Sequence, residues 1–225
     1  MCTVTFIPFG QTIFITSNRD ESPSRHARGL MSRHEGDLPP IHFPLDEESQ
    51  GSWIALADTG RSVCLLNGGF VPFIPDPPYR MSRGRVVMDA AGTTDLDVFL
   101  EQYNLEGIAP FTLLIYEDDR FMELVWDGFH RHIKSLSTEV PQLWSSVTLY
   151  PPEIREWRQA VFQEWLQERK AFDRESIMAF HNLKKGDATN DFIMNRGEIV
   201  KTLSITNIQL GPAKGSMLHL DLEKN

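Results

Sequence analysis

Cysteine is scarce in this 225-residue sequence, which contains only Cys2 and Cys64. Two cysteines so far apart exclude a disulfide scaffold and supply no clustered ligands for a structural zinc site. No apolar run reaches membrane-spanning length, and the start lacks the basic region, apolar stretch and cleavage site of a secretory leader. The expectation is a cytoplasmic protein without a transmembrane segment. Positive charge is also in short supply: 22 Lys and Arg stand against 31 Asp and Glu, a formal net charge of −9. With no basic stripe to reverse that sign locally, a nucleic-acid partner is excluded. There is neither a glycine-rich dinucleotide fingerprint nor a phosphate loop ending in Gly-Lys-Ser/Thr, so no nucleotide cofactor is implied. Internal repeats and low-complexity segments are missing as well.

What is present is ordinary globular composition, 41% hydrophobic and 24% charged, in a chain long enough to bury a substantial core. We expect a single domain over residues 1–225. Thr3 to Phe9 and Thr12 to Ser17, rich in Val, Ile, Thr and Phe and separated by Gly10-Gln11, predict a β-hairpin. Residues 22–50 carry no period and include Pro39-Pro40, the pattern of a long surface loop. Ser52 to Ala57 and Arg61 to Leu66 form a second strand pair around Asp58-Thr59-Gly60, followed by Asn67-Gly68-Gly69 and a proline-rich connection from Val71 to Tyr79. Leu96, Phe99, Leu100 and Tyr103 recur at helical spacing behind Thr94 as N-cap. Phe111 to Tyr116, Phe121 to Trp126 and Phe129 to Leu136 read as a β-meander with turns at Asp118-Asp119 and Asp127-Gly128.

Pro151 and Pro152 can open a helix whose stripe is Ile154, Trp157, Val161, Trp165 and Leu166, and a second helix spans Arg174 to His181. Strands return at Ile199 to Ile208 and Met217 to Leu222. Hairpins with helices interposed, instead of strict strand-helix alternation, predict an α+β chain with antiparallel sheets covered by helices.

The chemistry concentrates near the start. Cys2 follows the initiator methionine, whose removal before a small residue is common and would leave a free N-terminal cysteine. An α-amine titrates near 7.7 to 8.0 and a thiol at about 8.5, so amine and thiol of one residue can serve as base and nucleophile. Taken alone, Cys2 reads better as a small half-buried strand residue whose position is accidental. Ser17-Asn18-Arg19-Asp20-Glu21, placed at the end of the second hairpin strand, would lie near it. There Asp20 can hold a cation and Arg19 can lower the thiol pKa or bind a substrate carboxylate. The competing reading is that these side chains solvate a strand end.

Met1-Cys2 followed by Asn18-Arg19-Asp20-Glu21 resembles the NRDE family, also called the Transport and Golgi organisation 2 family. Gly51-Ser52-Trp53-Ile54-Ala55, Leu66-Asn67 and Ser82-Arg83-Gly84 are similar to that family's Gly-Thr-Trp-Leu-Gly, Thr-Asn and Ser-Arg-Gly elements, in the same order. The resemblance spans most of the first half and thins beyond about residue 90. The family in turn resembles N-terminal-nucleophile hydrolases of the bile-salt-hydrolase and penicillin-acylase kind. That resemblance implies an αββα four-layer sandwich, with Cys2 as nucleophile and base, Arg19 and Asp20 positioning it, and Asn67 as oxyanion donor. Asn67-Gly68-Gly69 also reads as a turn using Asn and Gly for positive φ. Where related amidases use a second asparagine, Trp144-Ser145-Ser146-Val147 offers serines, and their late arginine has only Lys201 or Arg196 as an approximate counterpart.

Other constellations read as structural. His130 and His132 alternate on one strand face without a third ligand at motif spacing. Cys64 lies in an apolar run, which raises a thiol pKa. Arg80, Arg83 and Arg85 surround Ser82 and Gly84 and read as a solvated turn or an anion site at a helix start. The resemblance therefore implies a hydrolase or acyltransferase acting on a non-peptide amide through an acyl-enzyme, with a small-molecule substrate and neither metal nor cofactor. The alternative, consistent with the family's link to trafficking, is a non-catalytic carrier of an amphipathic metabolite such as an acyl compound or haem.

Overall fold

The computed structural model describes residues 3–212 and 214–224. In chain order its elements are β1 (Thr3–Phe9), β2 (Thr12–Glu21), β3 (Ala27–Arg33), β4 (Ile41–Asp46), β5 (Ile54–Ala57), β6 (Ser62–Asn67), α1 (Arg83–Gly92) and α2 (Leu96–Gln102). They continue with β7 (Phe111–Glu117), β8 (Arg120–Trp126), β9 (Arg131–Leu136), β10 (Gln142–Ser145), α3 (Pro152–Gln167), α4 (Arg174–His181), β11 (Lys201–Leu210) and β12 (Ser216–Asp221). The chain divides into two compact units, one made of the residues before His26 and after Thr138, the other of His26–Thr138.

The first unit carries a five-stranded sheet in the order β10-β1-β2-β11-β12. The β1/β2 hairpin has the expected start, with Phe9 opposite Thr12 and Thr3 opposite Asn18. The second strand, however, does not end at Ser17. It runs on to Glu21 because β11 offers an antiparallel partner to its last residues, Arg19 opposite Ser204, Asp20 opposite Thr202 and Glu21 opposite Lys201. The Asn-Arg-Asp-Glu run is thus buried strand, not a solvated strand end.

Strand alternation sends Ile7 and Phe14 to one face, where they pack with Val161, Phe162 and Trp165 of α3 and Ile177 and Phe180 of α4. α3 begins as expected, with Pro152 in its first turn behind Pro151. Asp173 caps α4 through a reciprocal capping box with Ser176.

The second unit carries a seven-stranded sheet in the order β3-β4-β5-β6-β7-β8-β9. The meander β7-β8-β9 is as anticipated, with Asp118 and Asp119 at φ 48 and 58 in its first turn. Residues 22–50 are not one long loop, since they contain β3 and β4. The outermost strand β3 is exposed along most of its length and gains its ladder only from β4, so no apolar alternation marks it. β10 and the body of α1 also carry weak signals. α1 buries Val86, Val87, Met88, Ala90 and Ala91 against Ala55, Val63, Leu65 and Leu113 of the sheet. The cap of α2 is Asp95, whose carboxylate accepts from Val98 N at 2.9 Å, while Thr94 stands one residue earlier.

The motif segments around Gly51 and Gly84 meet in this unit. Ser52 N donates to Gly84 O at 3.1 Å, and a Cβ on Gly51 would stand 2.5 Å from the Gly84 carbonyl carbon. Only glycine permits that approach of backbone to backbone.

Candidate active site

Cys2 lies outside the described residues. Asp20, on β2, is 3% exposed, and each of its carboxylate oxygens has a hydroxyl donor: Tyr150 Oη donates to Oδ2 at 2.8 Å and Thr202 Oγ1 to Oδ1 at 2.6 Å. Thr202 is itself fixed from both sides, its Oγ1 accepting from Met194 N at 2.9 Å and its N–H donating to Met194 O at 2.9 Å. The Tyr150 ring is stacked under the Arg158 guanidinium at 3.8 Å. Arg158 is fully buried on α3 and donates from Nη2 to Asn190 O at 2.9 Å, from Nε to the same oxygen at 3.2 Å, and from Nη1 to Thr3 Oγ1.

Asn18 and His181 form the other half of this buried polar layer. Asn18 Nδ2 donates to His181 O at 3.0 Å and Phe192 O at 2.7 Å, which turns its Oδ1 toward His181 Nδ1. His181 Nδ1 therefore carries the proton, and Nε2 accepts from Thr5 Oγ1 at 2.8 Å. Burial, reinforced by the nearby Arg158 cation, holds the His181 imidazole down at about 3. It is a neutral, fixed hydrogen-bonding group.

Arg19 neighbours Asp20 in sequence but points to the opposite face of β2, as strand alternation requires. It is 2% exposed, and its Nη1 donates to Arg25 O at 3.0 Å. On that face it shares its surroundings with His219 of β12, which bonds Thr206 Oγ1 at 2.8 Å. Burial holds His219 below its usual value; Asp221 pulls the other way, and the Arg19 and Lys224 cations add to the lowering. Arg19 and Asp20 thus share a strand and not a face.

Asn67, the last residue of β6, belongs to the other unit and pairs with Phe111. The left-handed backbone of its turn falls on Gly68, at φ 88, and Asn67 is not among the residues with positive φ. Gly68 is held on both sides, its N–H donating to Pro110 O at 3.0 Å and its carbonyl accepting from Thr112 Oγ1 at 3.1 Å.

The segment expected to offer serines holds Ser145 opposite Thr3 on β10, and Ser146 Oγ shares a hydrogen bond with Thr148 Oγ1 at 2.8 Å. Of the two approximate counterparts of a late arginine, Lys201 pairs with Glu198, whereas Arg196 lies 5.7 Å from the Tyr150 ring and donates to Leu149 O at 3.3 Å. Outside this layer, Cys64 is buried at 1% exposure, and His132 Nε2 bonds Asp127 Oδ2 at 2.8 Å. Arg80 is spent on the carbonyls of Asn104 and Glu106, Arg83 donates to Pro110 O, and Arg85 pairs with Asp89, so these three cations do not converge on one anion. Sequence reading missed Tyr150, Arg158, His181 and Thr202. The available signal was a buried-side arginine at Arg158 in the apolar stripe of α3, one turn before Val161 and Phe162.

Solved structures share the fold that carries these residues. The N-acylethanolamine-hydrolyzing acid amidase ortholog of Caenorhabditis elegans is similar at TM-score 0.61 and 10% identity, over 92% of this chain and 92% of that chain. A mutant of the conjugated bile acid hydrolase from Clostridium perfringens is similar at TM-score 0.58 and 8% identity, over 100% of this chain and 93% of that one. A further variant of the same hydrolase gives TM-score 0.62 at 8% identity with the same coverage. At such identities the likeness is one of fold, and the fold is the αββα four-layer sandwich with two antiparallel sheets of the N-terminal-nucleophile hydrolases. Within it, the chain belongs to the Transport and Golgi organisation 2 family, whose sequence model matches residues 1–136. No curated protein matches it by sequence.

Proposed function

We propose that this chain is an amide-bond hydrolase or acyltransferase working through Cys2, made N-terminal by loss of Met1. The observation that carries the reading is the buried Asp20 carboxylate, gripped by Tyr150 and Thr202 on the strand paired with β1. A carboxylate fixed in that way is suited to hold a cation such as an α-ammonium. Cys2 precedes Thr3 in sequence, and Thr3 stands opposite Asn18, two residues before Asp20.

In the proposed reaction the α-amine takes the thiol proton and the thiolate attacks the substrate carbonyl. Asn67 donates to the oxyanion of the tetrahedral intermediate, which collapses as the C–N bond breaks and the leaving amine takes up the proton. Water or a second amine then attacks the thioester and releases the acyl group. Arg19 supplies positive charge for the thiolate or for a substrate carboxylate. The acid amidase and the conjugated bile acid hydrolase share this fold and are both hydrolases by name, the first of them an amidase, which supports the reaction class. A non-peptide amide is the substrate class that this likeness favours.

The test is intact-mass measurement of the purified protein before and after a limiting thiol-reactive acyl probe, followed by mapping of the modified residue. The expected result is loss of Met1, a single acyl adduct on Cys2, and no adduct in Cys2→Ala. Retention of Met1, or equal labelling of Cys64, removes the mechanism and leaves a carrier of an amphipathic ligand.

A further inference from the structure

We propose that the cavity at the C-terminal end of α1 is a binding site for a small organic cation, an ammonium group carried on an apolar body. The cavity lies wholly within the unit His26–Thr138 and encloses about 370 Å³. That is within the range of about 300–1,000 Å³ common to small-molecule pockets.

Its wall is apolar at Leu38, Ile41, Met88 and Phe99, and its polar side chains are one cation, Arg33, two carboxylates and the hydroxyls of Thr93, Thr94 and Tyr103. Asp89 and Glu35 contribute carboxylates. Arg33, which lines the cavity, donates to Glu35 at 2.6 Å, and Arg85 beside it donates to Asp89 at 3.0 Å, so both cations are engaged. Tyr103 Oη donates its proton to Asp89 at 2.6 Å, so the phenol offers an incoming group only its oxygen and its ring. The Phe99 and Tyr103 rings stand 4.6 Å apart, and aromatic faces attract an ammonium.

Helix polarity acts in the same direction. α1 ends at Gly92, and its last turn carries no basic residue, so the partial negative charge of the helix terminus is not offset from within the helix. Arg61 donates to Ala90 O and Thr93 O from the sheet side, but its charge is paired with Glu117 at 2.8 Å. A carboxylate or phosphate ligand would have to break the Arg33–Glu35 or Arg85–Asp89 pair to find a cation, whereas each paired carboxylate keeps further lone pairs for an ammonium. An ammonium meets acceptors and aromatic faces.

Gly92 makes the site testable. Gly92 lines the cavity, and a Cβ built there meets no atom within 4 Å on a backbone that is not left-handed, so a larger side chain is accommodated at the cavity wall without strain. Binding of hexyltrimethylammonium, hexanoate and hexanol to the 225-residue chain would be measured by isothermal titration calorimetry. The expected result is saturable 1:1 binding of the cation, with hexanoate at least about tenfold weaker. Gly92→Leu should weaken the cation at least about tenfold while keeping the wild-type melting temperature. Asp89→Asn should weaken the cation several-fold and leave hexanol unchanged. No saturable binding of the cation to the wild-type protein overturns the proposal, as does hexanoate binding equally well. So does a folded Gly92→Leu that binds like wild type; if that variant does not fold, an Asp89→Asn protein with undiminished cation binding is decisive.

Discussion

Tyr150 donates its phenolic hydrogen to Asp20 across 2.8 Å, joining two residues 130 positions apart in the chain. A hydrogen bond to a buried charged acceptor contributes roughly 1.5–3 kcal/mol. Tyr150→Phe keeps the ring under Arg158 and removes only the donor, so urea unfolding should show a loss of that size. Thr202→Val should cost at least as much, because Met194 N loses its acceptor together with Asp20. If Asp20 holds the α-ammonium of Cys2, Tyr150→Phe should also move the pH profile of acyl-probe labelling, which a purely structural loss would leave in place.

The contact between Gly51 and Gly84 predicts a different kind of defect. In Gly51→Ala the new methyl would stand 2.5 Å from the Gly84 carbonyl carbon and 2.8 Å from Arg85 N, both backbone atoms that cannot rotate aside. Overpacking of that type costs about 1–3 kcal/mol. Gly84→Ala meets Ser52 backbone atoms at 3.0 and 3.1 Å and should cost less. Thermal melts of the two variants should rank in that order, with Gly92→Ala, whose Cβ meets nothing, at or above wild type.

These examples show why part of the site was readable and part was not. The β1/β2 hairpin is local, and its alternation of Val, Ile and Phe is visible in the sequence. The strand pattern placed the polar cluster Ser17-Asn18-Arg19-Asp20-Glu21 on that hairpin correctly but as a strand end. Its extension into buried strand depends on β11, and the hydroxyls that satisfy Asp20 come from residues 130 and 182 positions away. Partners at such separation leave no periodic trace. Strands β3 and β4 went unread because β3 is an exposed edge and β4 contains Pro44, a residue that argues against a strand. Opposite placement of Arg19 and Asp20, by contrast, follows from alternation alone once β2 is extended through both.

Stability should fall on the acid side through His181. Its folded value is held near 3 against the usual 6.5, by burial first and by Arg158 second. Between those values the unfolded chain binds a proton that the folded chain refuses, so stability is full above the usual histidine range and declines as the pH falls. The slope attributable to one such group approaches about 1.4 kcal/mol per pH unit. Carboxylates titrate in the lower part of the window, so the comparison is with His181→Gln. The difference in unfolding free energy between the two proteins should be level above about pH 7 and close steadily from about pH 6 to pH 4, as expected for a single histidine. A difference that stays flat across that interval would exclude His181 as the titrating group.

Asn67 has two readings that make opposite demands on one variant. As a turn residue it would contribute to stability, and Asn67→Ala would lower the urea midpoint while leaving the labelling rate of folded protein alone. The positive φ of this turn is carried by Gly68, which is anchored by Pro110 and Thr112, and Asn67 keeps strand geometry opposite Phe111. The backbone therefore has little need of an asparagine there. As oxyanion donor in the proposed reaction, Asn67 would contribute roughly 2.7–4 kcal/mol to the transition state, about 10²–10³ in rate. Asn67→Ala should then slow acylation of Cys2 by that factor with a change in unfolding free energy of under about 1 kcal/mol, within the range of ordinary surface and half-buried substitutions. Stopped intact-mass time courses and urea titrations on the same preparation separate the two, since a stability loss with an unchanged acylation rate assigns Asn67 to the turn.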